Sequence, residues 1–381
     1  MNRNIPKRRF KGFTEPWKQR KLGEVAVVNS GKDYKHLEVG EIPVYGTGGY
    51  MISVNKALSY KNDAIGIGRK GTIDNPFILR APFWTVDTLF YIFPKDMYKL
   101  YFLYNIFEKI NWNSKDESSG IPSLSKKIIE DTIYLFPTIE EQKLIGSFFK
   151  KLDEQISNQG EKVEKLKNLK KAYLSEMFPA EGELSPKRRF KGFTKPWKES
   201  KLEEKVQFYS GLTYKPMDLR KEGTLVLRSS NIKDSKLVLS DNVFVNPQVV
   251  NVSNVKCNDI IMVVRNGSRE LIGKHTLIRE NLQDTVIGAF MIGIRAANYE
   301  FINVLFDTDL FKNLVQINMG ATINQITGYM FSNMKFNFPS DEEQKLIGSF
   351  FKKLDDEINL EQKKLEKLKQ LKQAYLEEMF V

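Results

Sequence analysis

Two long stretches of the chain carry apolar residues at spacings of three, four or seven. In the first these are Ile145, Phe149, Leu152, Ile156, Val163, Leu166, Tyr173 and Met177. In the second they are Ile347, Phe351, Leu354, Ile358, Leu365, Leu368, Tyr375 and Met379. Such spacing lines the residues up on one narrow stripe of a helix, and a narrow stripe calls for a partner helix. Lys and Glu fill the remaining faces, as on the solvated flanks of a coiled coil. Pro137 and Pro339 precede the stretches, with Thr138 and Ser340 as candidate N-caps. Glu140-Glu141 and Asp341-Glu342-Glu343 then place negative charge where the helix dipole favours it. From Glu141 to Met177 is 37 residues, about 55 Å at 1.5 Å per residue.

Outside these stretches the pattern changes to short apolar runs bounded by turn residues. They predict strands at Glu24–Val28, Ala64–Gly68 and Thr88–Phe93, then a helix over Lys99–Lys109. A second set predicts strands at Thr224–Arg228, Asp259–Arg265 and Val286–Ile294, then a helix over Tyr299–Leu314. Each set reaches its long helix through a short segment, Ile121–Ser125 or Ile323–Thr327. The pattern therefore reads as two mixed α/β regions and two long helices.

An internal repeat gives this order a reason. Pro6–Lys18 returns as Pro186–Lys198 with 12 of 13 positions identical, at an offset of 180. Phe136–Asp153 returns as Phe338–Asp355 with 16 of 18 identical, at an offset of 202. The similarity runs on to Met177-Phe178 and Met379-Phe380. Between the repeated blocks lie two regions, about Val25–Leu135 and Val206–Asn337, that look unlike each other. The second is longer by 22 residues, the difference of the two offsets. A duplicated scaffold thus carries two dissimilar inserts. Antiparallel pairing of the two helices would bring the scaffold ends together.

Composition narrows the chemistry. The 381 residues suggest two or three domains. Lys plus Arg is 59 and Asp plus Glu is 47, a net charge of +12. That balance favours polyanionic partners, nucleic acid ahead of membrane. Cys257 is the one cysteine, and His36 and His275 are the two histidines. This leaves no disulfide framework and no Cys-rich metal site. The longest apolar run, Val286–Ile294, is too short for a membrane span, and the first residues lack an apolar signal core. A cytoplasmic protein is expected.

Several short motifs fail on inspection. Gly66-Ile67-Gly68-Arg69-Lys70-Gly71 has dinucleotide-loop spacing, but no helix pattern follows it. Gly267–His275 approximates a phosphate-binding loop with one residue too many and His275 in place of Ser/Thr. Asp74-Asn75-Pro76-Phe77 lacks the second proline of amino-methyltransferase loops. Glu141-Gln142-Lys143 belongs to the repeated helix and reads as a solvated face. No catalytic constellation and no metal set emerges.

Nucleic-acid contacts have better candidates. From Arg3 to Lys21 there are eight Lys/Arg against Glu15 alone, which reads either as a phosphate-binding arm or as a solvated basic arm. Phe10, Phe13 and Trp17 would pack that arm on its neighbour. Glycine-bracketed polar loops recur in both inserts. In the first they supply Tyr45, Thr47, Gly48, Arg69 and Lys70. In the second they supply Arg228, Ser229, Asn231, Arg265, Asn266, Ser268 and Arg269, with Lys274 and His275 beyond. Arg, Lys, Asn and Ser are the side chains that read base edges, although any one of them singly could be an ordinary loop residue.

Taken in order, these features resemble the specificity (S) subunit of type I restriction–modification systems, over essentially the whole chain. The carriers are the doubled Phe-Pro-x-x-Glu-Glu-Gln-Lys-Leu-Ile-Gly-Ser-Phe-Phe-Lys-Lys-Leu-Asp and the doubled Arg-Phe-Lys-Gly-Phe-Thr-x-Pro-Trp. Val44–Gly49, Ile67–Gly71, Leu227–Ile232, Val264–Ser268 and Gly320–Ile326 add to them, and the last of these adds Asn324 to the DNA-contact candidates. The resemblance implies an α+β fold with two target recognition domains separated by two antiparallel coiled-coil helices in a pseudo-two-fold repeat. It divides the chain into an arm and recognition domain (1–137), a spacer helix (138–178), a linker (179–185), a second arm and recognition domain (186–339) and a second spacer helix (340–381). Each recognition domain would read half of a split, asymmetric target in double-stranded DNA. Two methyltransferase (M) subunits would bring S-adenosylmethionine for adenine methylation. Restriction (R) subunits would bring ATP and Mg for cleavage, and this chain itself would hold no cofactor. The competing expectations are a coiled-coil assembly protein that binds DNA without specificity, and a cryptic DNA-modifying enzyme.

Overall fold

The computed structural model describes residues 4–116, 118–319 and 324–381. Two compact units divide the chain: Met1–Glu161 with Gln362–Val381, and Lys162–Glu361. The long helices are Ile139–Met177 and Asp341–Met379, 39 residues each. Each begins in one unit and ends in the other. Thr138 and Ser340 cap them, their hydroxyls accepting from the backbone N–H of Glu141 (3.5 Å) and Glu343 (3.4 Å). Among the described residues, no helix is long and apolar enough to cross a membrane.

In the first unit the start of one long helix packs against the end of the other, Phe148 edge-on to Tyr375 with ring centroids 5.0 Å apart. The second unit repeats this with Tyr173 and Phe350, also 5.0 Å apart. The pairing is antiparallel within each unit. A shorter helix then crosses each pair, Leu100–Lys109 in the first unit and Tyr299–Asp307 in the second. Close approach demands glycine here. A Cβ on Gly146 would stand 2.9 Å from the Phe102 backbone N, and one on Gly348 2.8 Å from that of Phe301. The crossing is locked by charge. Lys372 reaches Glu108 and Asp153, both at 2.7 Å, and Lys170 reaches Asp307 at 2.9 Å and Asp355 at 2.7 Å. Burial pushes the Glu108 and Asp355 carboxyls above their ordinary range despite the lysine beside each.

The first unit holds an antiparallel sheet in the order Ala26–Ser30, Leu89–Pro94, Ala64–Gly68, Phe77–Leu79. A second sheet runs Gly49–Val54, Val39–Gly46, Trp84–Thr85, the last pair parallel. The second unit builds the first of these again from Val206–Ser210, Met291–Ala296, Ile260–Val263 and His275–Leu277. Its other sheet runs Leu219–Arg220, Val243–Val245, Thr224–Leu227, Thr285–Ile287, again with the last pair parallel. The inserts that look unlike in sequence thus share one strand plan, to which the second unit adds the edge strand Leu219–Arg220 and the short hairpin Ile232–Lys233/Lys236–Leu237.

Three expected elements differ. The chain over 24–28 enters a short helix, Leu22–Val25, before the strand Ala26–Ser30, because Leu22 and Val25 bury one turn apart. The run Val286–Ile294 is two strands, Thr285–Ile287 and Met291–Ala296, serving different sheets. Gly288 and Ala289 make the crossing, their N–H groups donating to Leu227 and Leu212. The helix over Tyr299–Leu314 is also two, Tyr299–Asp307 and Asp309–Asn318. Thr308 ends the first by donating to the Leu305 carbonyl at 2.6 Å and caps the second by accepting from Phe311 N–H at 3.3 Å.

Candidate nucleic-acid interface

In the first unit the strand Ala64–Gly68 is wholly buried and delivers Arg69 and Lys70 to the surface at its exit. Backbone bonds fix the turn: Arg69 N–H donates to Thr88, Gly71 N–H to Pro122, and Leu124 N–H to Arg69. Lys70 forms an isolated antiparallel bridge with Ser123. Asp116 holds the far side of that bridge. One of its carboxylate oxygens accepts from Ser123 N–H (2.9 Å), Ser118 N–H (3.0 Å) and the Ser118 hydroxyl (2.8 Å). These bonds, that of Ser123 foremost, hold its carboxyl below the ordinary range. The Arg69 guanidinium lies over the Phe90 ring, 5.9 Å from its centroid. A cleft of about 420 Å³ opens here, lined in part by Ser30, Arg69, Lys70, Ser123, Ser125 and Lys126.

The hairpin Val39–Gly46/Gly49–Val54 brings its tip alongside. A Cβ on Gly71 would stand 4.0 Å from the Thr47 hydroxyl oxygen. Gly48 is exposed and Thr47 half-buried. Tyr45 packs its ring on Phe77, centroids 6.0 Å apart, so it supports the hairpin more than it faces solvent. Thr47, Arg69 and Lys70 therefore share one neighbourhood.

In the second unit Ser229, Asn266 and Asn324 tie three loops together. Asn266 Nδ2 donates to the Ser229 hydroxyl (3.1 Å), and Asn324 Nδ2 donates to the Gly267 carbonyl (2.9 Å). Asn266 Oδ1 accepts from Ser268 N–H at 3.0 Å. Arg265 bridges Gln325 and lies exposed over the Phe290 ring, 5.0 Å from its centroid. Other candidates are occupied. Arg228 pairs with Asp241 at 2.7 Å. Asn231 is fully buried; its oxygen accepts from Arg228 N–H and its nitrogen donates to the Val238 and Asp241 carbonyls. It shapes the loop from inside. Arg269 donates to Gln316 at 3.2 Å. Lys274 is half-buried, its carbonyl accepting from Val263 N–H. His275 belongs to the core, edge-on to Phe306 with one ring nitrogen 3.0 Å from the Gly273 carbonyl oxygen. Gly320–Ile323 lie outside the described residues, as does Arg3.

The two loop clusters correspond. Ser123 and Gln325, partners of Lys70 and Arg265, are 202 residues apart, the offset of the repeated helices. A basic side chain thus stands at the same topological point in both units. No helix follows either the Gly66–Gly71 or the Gly267–His275 segment; each runs on to a strand, Phe77–Leu79 or His275–Leu277. Neither builds a nucleotide-phosphate cradle. Among the described residues no group of three His, Cys, Asp or Glu is placed to hold a metal ion.

The arms are another matter. Arg9 forks onto Glu141 (2.8 and 2.6 Å) and Arg189 onto Glu343 (2.9 and 2.6 Å), and both carboxylates are buried. Trp17 and Trp197 are buried as well, and Arg8 and Arg188 pair with Glu378 and Glu176. These arginines fasten the arm to the helices, so of the run expected either to bind phosphate or to be solvated they do neither. Lys7, Lys11 and Lys18 remain exposed, as do Lys187, Lys191 and Lys198.

One shared feature escaped the sequence reading. Ser30-Gly31-x-x-Tyr34-Lys35 returns as Ser210-Gly211-x-x-Tyr214-Lys215 at the same offset of 180. A Cβ on Gly31 would stand 2.0 Å from the Val86 carbonyl oxygen, and one on Gly211 2.0 Å from that of Gly288. The strand therefore passes between the two sheets only with glycine there. Following the first offset past Trp17 would have found it.

The family described as type I restriction modification DNA specificity domain matches residues 14–168 and 194–370. The chain is 25% identical over 301 residues to the type I restriction enzyme MjaVIII specificity subunit of Methanocaldococcus jannaschii, covering 74% of this chain and 69% of that protein. It is 24% identical over 184 residues to the type I restriction enzyme StySPI specificity subunit of Salmonella potsdam, covering 46% of this chain and 40% of that protein. In fold it is similar to the S subunit of a type I restriction–modification system from M. genitalium, with a TM-score of 0.69 at 16% identity and 99% of each chain covered. A chain from a structure concerned with complex assembly and conformational transition of the type I system gives a TM-score of 0.52 at 15% identity, covering 96% and 97%.

Proposed function

The chain belongs to the type I restriction–modification DNA specificity family, and from that premise we propose that its two units each read one half of an asymmetric, bipartite DNA target. As a specificity subunit it is a recognition component without catalysis of its own. The observation that carries the bipartite reading is the shared strand plan with unlike tips. Lys70, Arg69 and Thr47 in one unit, and Arg265, Asn266 and Ser229 in the other, stand at the exits of corresponding strands. Equivalent frames with different side chains suit two different half-sites. Half-sites about one helical turn apart present the same face of the duplex, and the length of the long helices would set their spacing.

The partners follow the same proposal. Two copies of the methyltransferase subunit would bind S-adenosylmethionine and methylate an adenine flipped from the stack. Restriction subunits would supply ATP- and Mg-dependent cleavage, in the cytoplasm. The repeated helices and arms support two equivalent docking surfaces, because they present nearly the same residues twice.

The test is to express the chain with its methyltransferase partner and map methylated adenines across a genome. One split motif is expected, and no new motif from an assembled complex overturns the reading. Exchanging residues 25–135 for another such insert should alter one half of the motif only. Substituting Lys7, Lys11 and Lys18 should weaken binding to all sequences and flatten its salt dependence, whereas Arg265→Ala should relax one position.

A further inference from the structure

Phe290 stands out among the exposed apolar residues because it lies inside the second unit's loop cluster. The residue is 54% exposed. Its backbone is nonetheless fixed, since its carbonyl accepts from the N–H groups of Val264 (3.0 Å) and Arg265 (3.2 Å). The Arg265 guanidinium lies over the ring, within the range of a cation–π contact. No carboxylate among the described residues pairs with Arg265. The result is a cation and an apolar face held side by side on a rigid turn and offered to solvent.

The first unit makes the contrast. Thr88 takes the place of Phe290, its carbonyl accepting from Arg69 N–H at 2.8 Å. The ring beneath Arg69 there is Phe90, which is 2% exposed and sits in the wall of the cleft instead of standing out into solvent. The two units thus offer different chemistry at one topological point, a hydroxyl in the first and an exposed aromatic in the second.

Resting on the DNA-recognition reading above, we infer that Phe290 and Arg265 act as a specificity-determining pair, the ring covering the 5-methyl group of a thymine next to the base that Arg265 reads. In the major groove thymine alone among the four bases offers a methyl group, and apolar side chains recognise it by contact. A guanidinium is suited to guanine O6 and N7. The Arg265 carbon lies 5.0 Å from the ring centroid, and successive base pairs rise about 3.4 Å, so the two groups can meet neighbouring pairs. The second half-site should therefore contain a thymine beside the position that Arg265→Ala relaxes.

The experiment uses the full chain assembled with its methyltransferase subunit. After the motif is mapped for the wild type, each thymine of the second half-site is replaced in turn by deoxyuridine in a synthetic duplex, which removes only the methyl group. One replacement should weaken wild-type binding roughly fourfold, the worth of one buried methyl group. The same replacement should leave the affinity of Phe290→Ala unchanged, and that variant should accept other bases at that position. Its unfolding temperature should match the wild type, because the ring is exposed. The inference is overturned if no thymine is sensitive, if the sensitivity is equal in both proteins, or if Phe290→Ala keeps the full motif. It is likewise overturned if that variant only loses the methyltransferase subunit, which would assign the ring to a protein contact. Absence of any motif for the wild type would instead sink the functional reading itself.

Discussion

Replacing Arg9 by alanine tests the assignment of the arms. Arg9 and Glu141 are 10% and 0% exposed at their side chains and share two parallel hydrogen bonds of 2.8 and 2.6 Å. Removing the guanidinium leaves a carboxylate in the interior with no counter-charge, a loss of about 3–5 kcal/mol. For a unit of this size, each kcal/mol moves the unfolding temperature by roughly 2–4 °C, so a drop of about 6–20 °C is expected. Arg8 is the built-in control. It pairs with Glu378, but the two side chains are 56% and 41% exposed, and solvent screens the pair. The second unit repeats the contrast with Arg189–Glu343, 13% and 1% exposed, and Arg188–Glu176, 56% and 38% exposed. Differential scanning calorimetry of Arg8→Ala, Arg9→Ala, Arg188→Ala and Arg189→Ala in the full chain reads all four. The double change Arg9→Met with Glu141→Leu should recover most of the loss, since an apolar pair of similar volume needs no counter-charge. Equal shifts for Arg8→Ala and Arg9→Ala would refute the reasoning.

Three further outcomes follow from single sites. Asn105 is fully buried and neither of its amide atoms has a partner among the described residues, while Val304 holds the corresponding place in the other unit. Asn105→Val should therefore stabilise by about 1–3 kcal/mol, read as a higher unfolding temperature. Gly31→Ala and Gly211→Ala would drive a Cβ to 2.0 Å from a backbone oxygen, and each should destabilise by about 1–3 kcal/mol and disturb recognition of its own half-site. Asp116 has a folded pKa below its unfolded one, so its contribution is complete above the ordinary carboxylate range and is lost as pH falls through the depressed value. Hydrogen exchange at the Ser118 and Ser123 amides should accelerate over that acid range beyond its intrinsic change. Asp116→Asn should abolish the pH dependence; if it persists, another group holds the loop.

Much of the scaffold was legible because its signals are local. The helix stripes, the caps Thr138 and Ser340 and the acidic first turns all lie within a few residues of the elements they specify. Duplication was legible because identity at fixed offsets needs no structure. Boundaries that depend on distant partners were not. Val286–Ile294 reads as one strand until the two sheets it serves are known, and Thr308 interrupts a helix because its hydroxyl caps the next one.

The candidate interface divides the same way. Glycine-bracketed loops pointed to Arg69, Lys70, Arg265 and Asn266, and the family resemblance to Asn324; the fold gathers them into two clusters. The same kind of pattern chose Asn231, which is buried, and Arg228, which is paired. It passed over Phe290, because a lone aromatic in a sequence says nothing about its exposure.

By itself, then, the sequence determined a doubled scaffold, two helices with one apolar stripe each, and a basic chain without catalytic or metal chemistry of recognisable pattern. Only the tertiary structure decided that the two inserts share one strand plan, which arginines are occupied, and which loops meet. The physical reason is that helix periodicity and capping are properties of neighbouring residues. Strand pairing, burial of charge and the meeting of loops depend instead on contacts between residues far apart in the chain, such as Lys70 with Ser123 and Arg9 with Glu141, which many different sequences can satisfy.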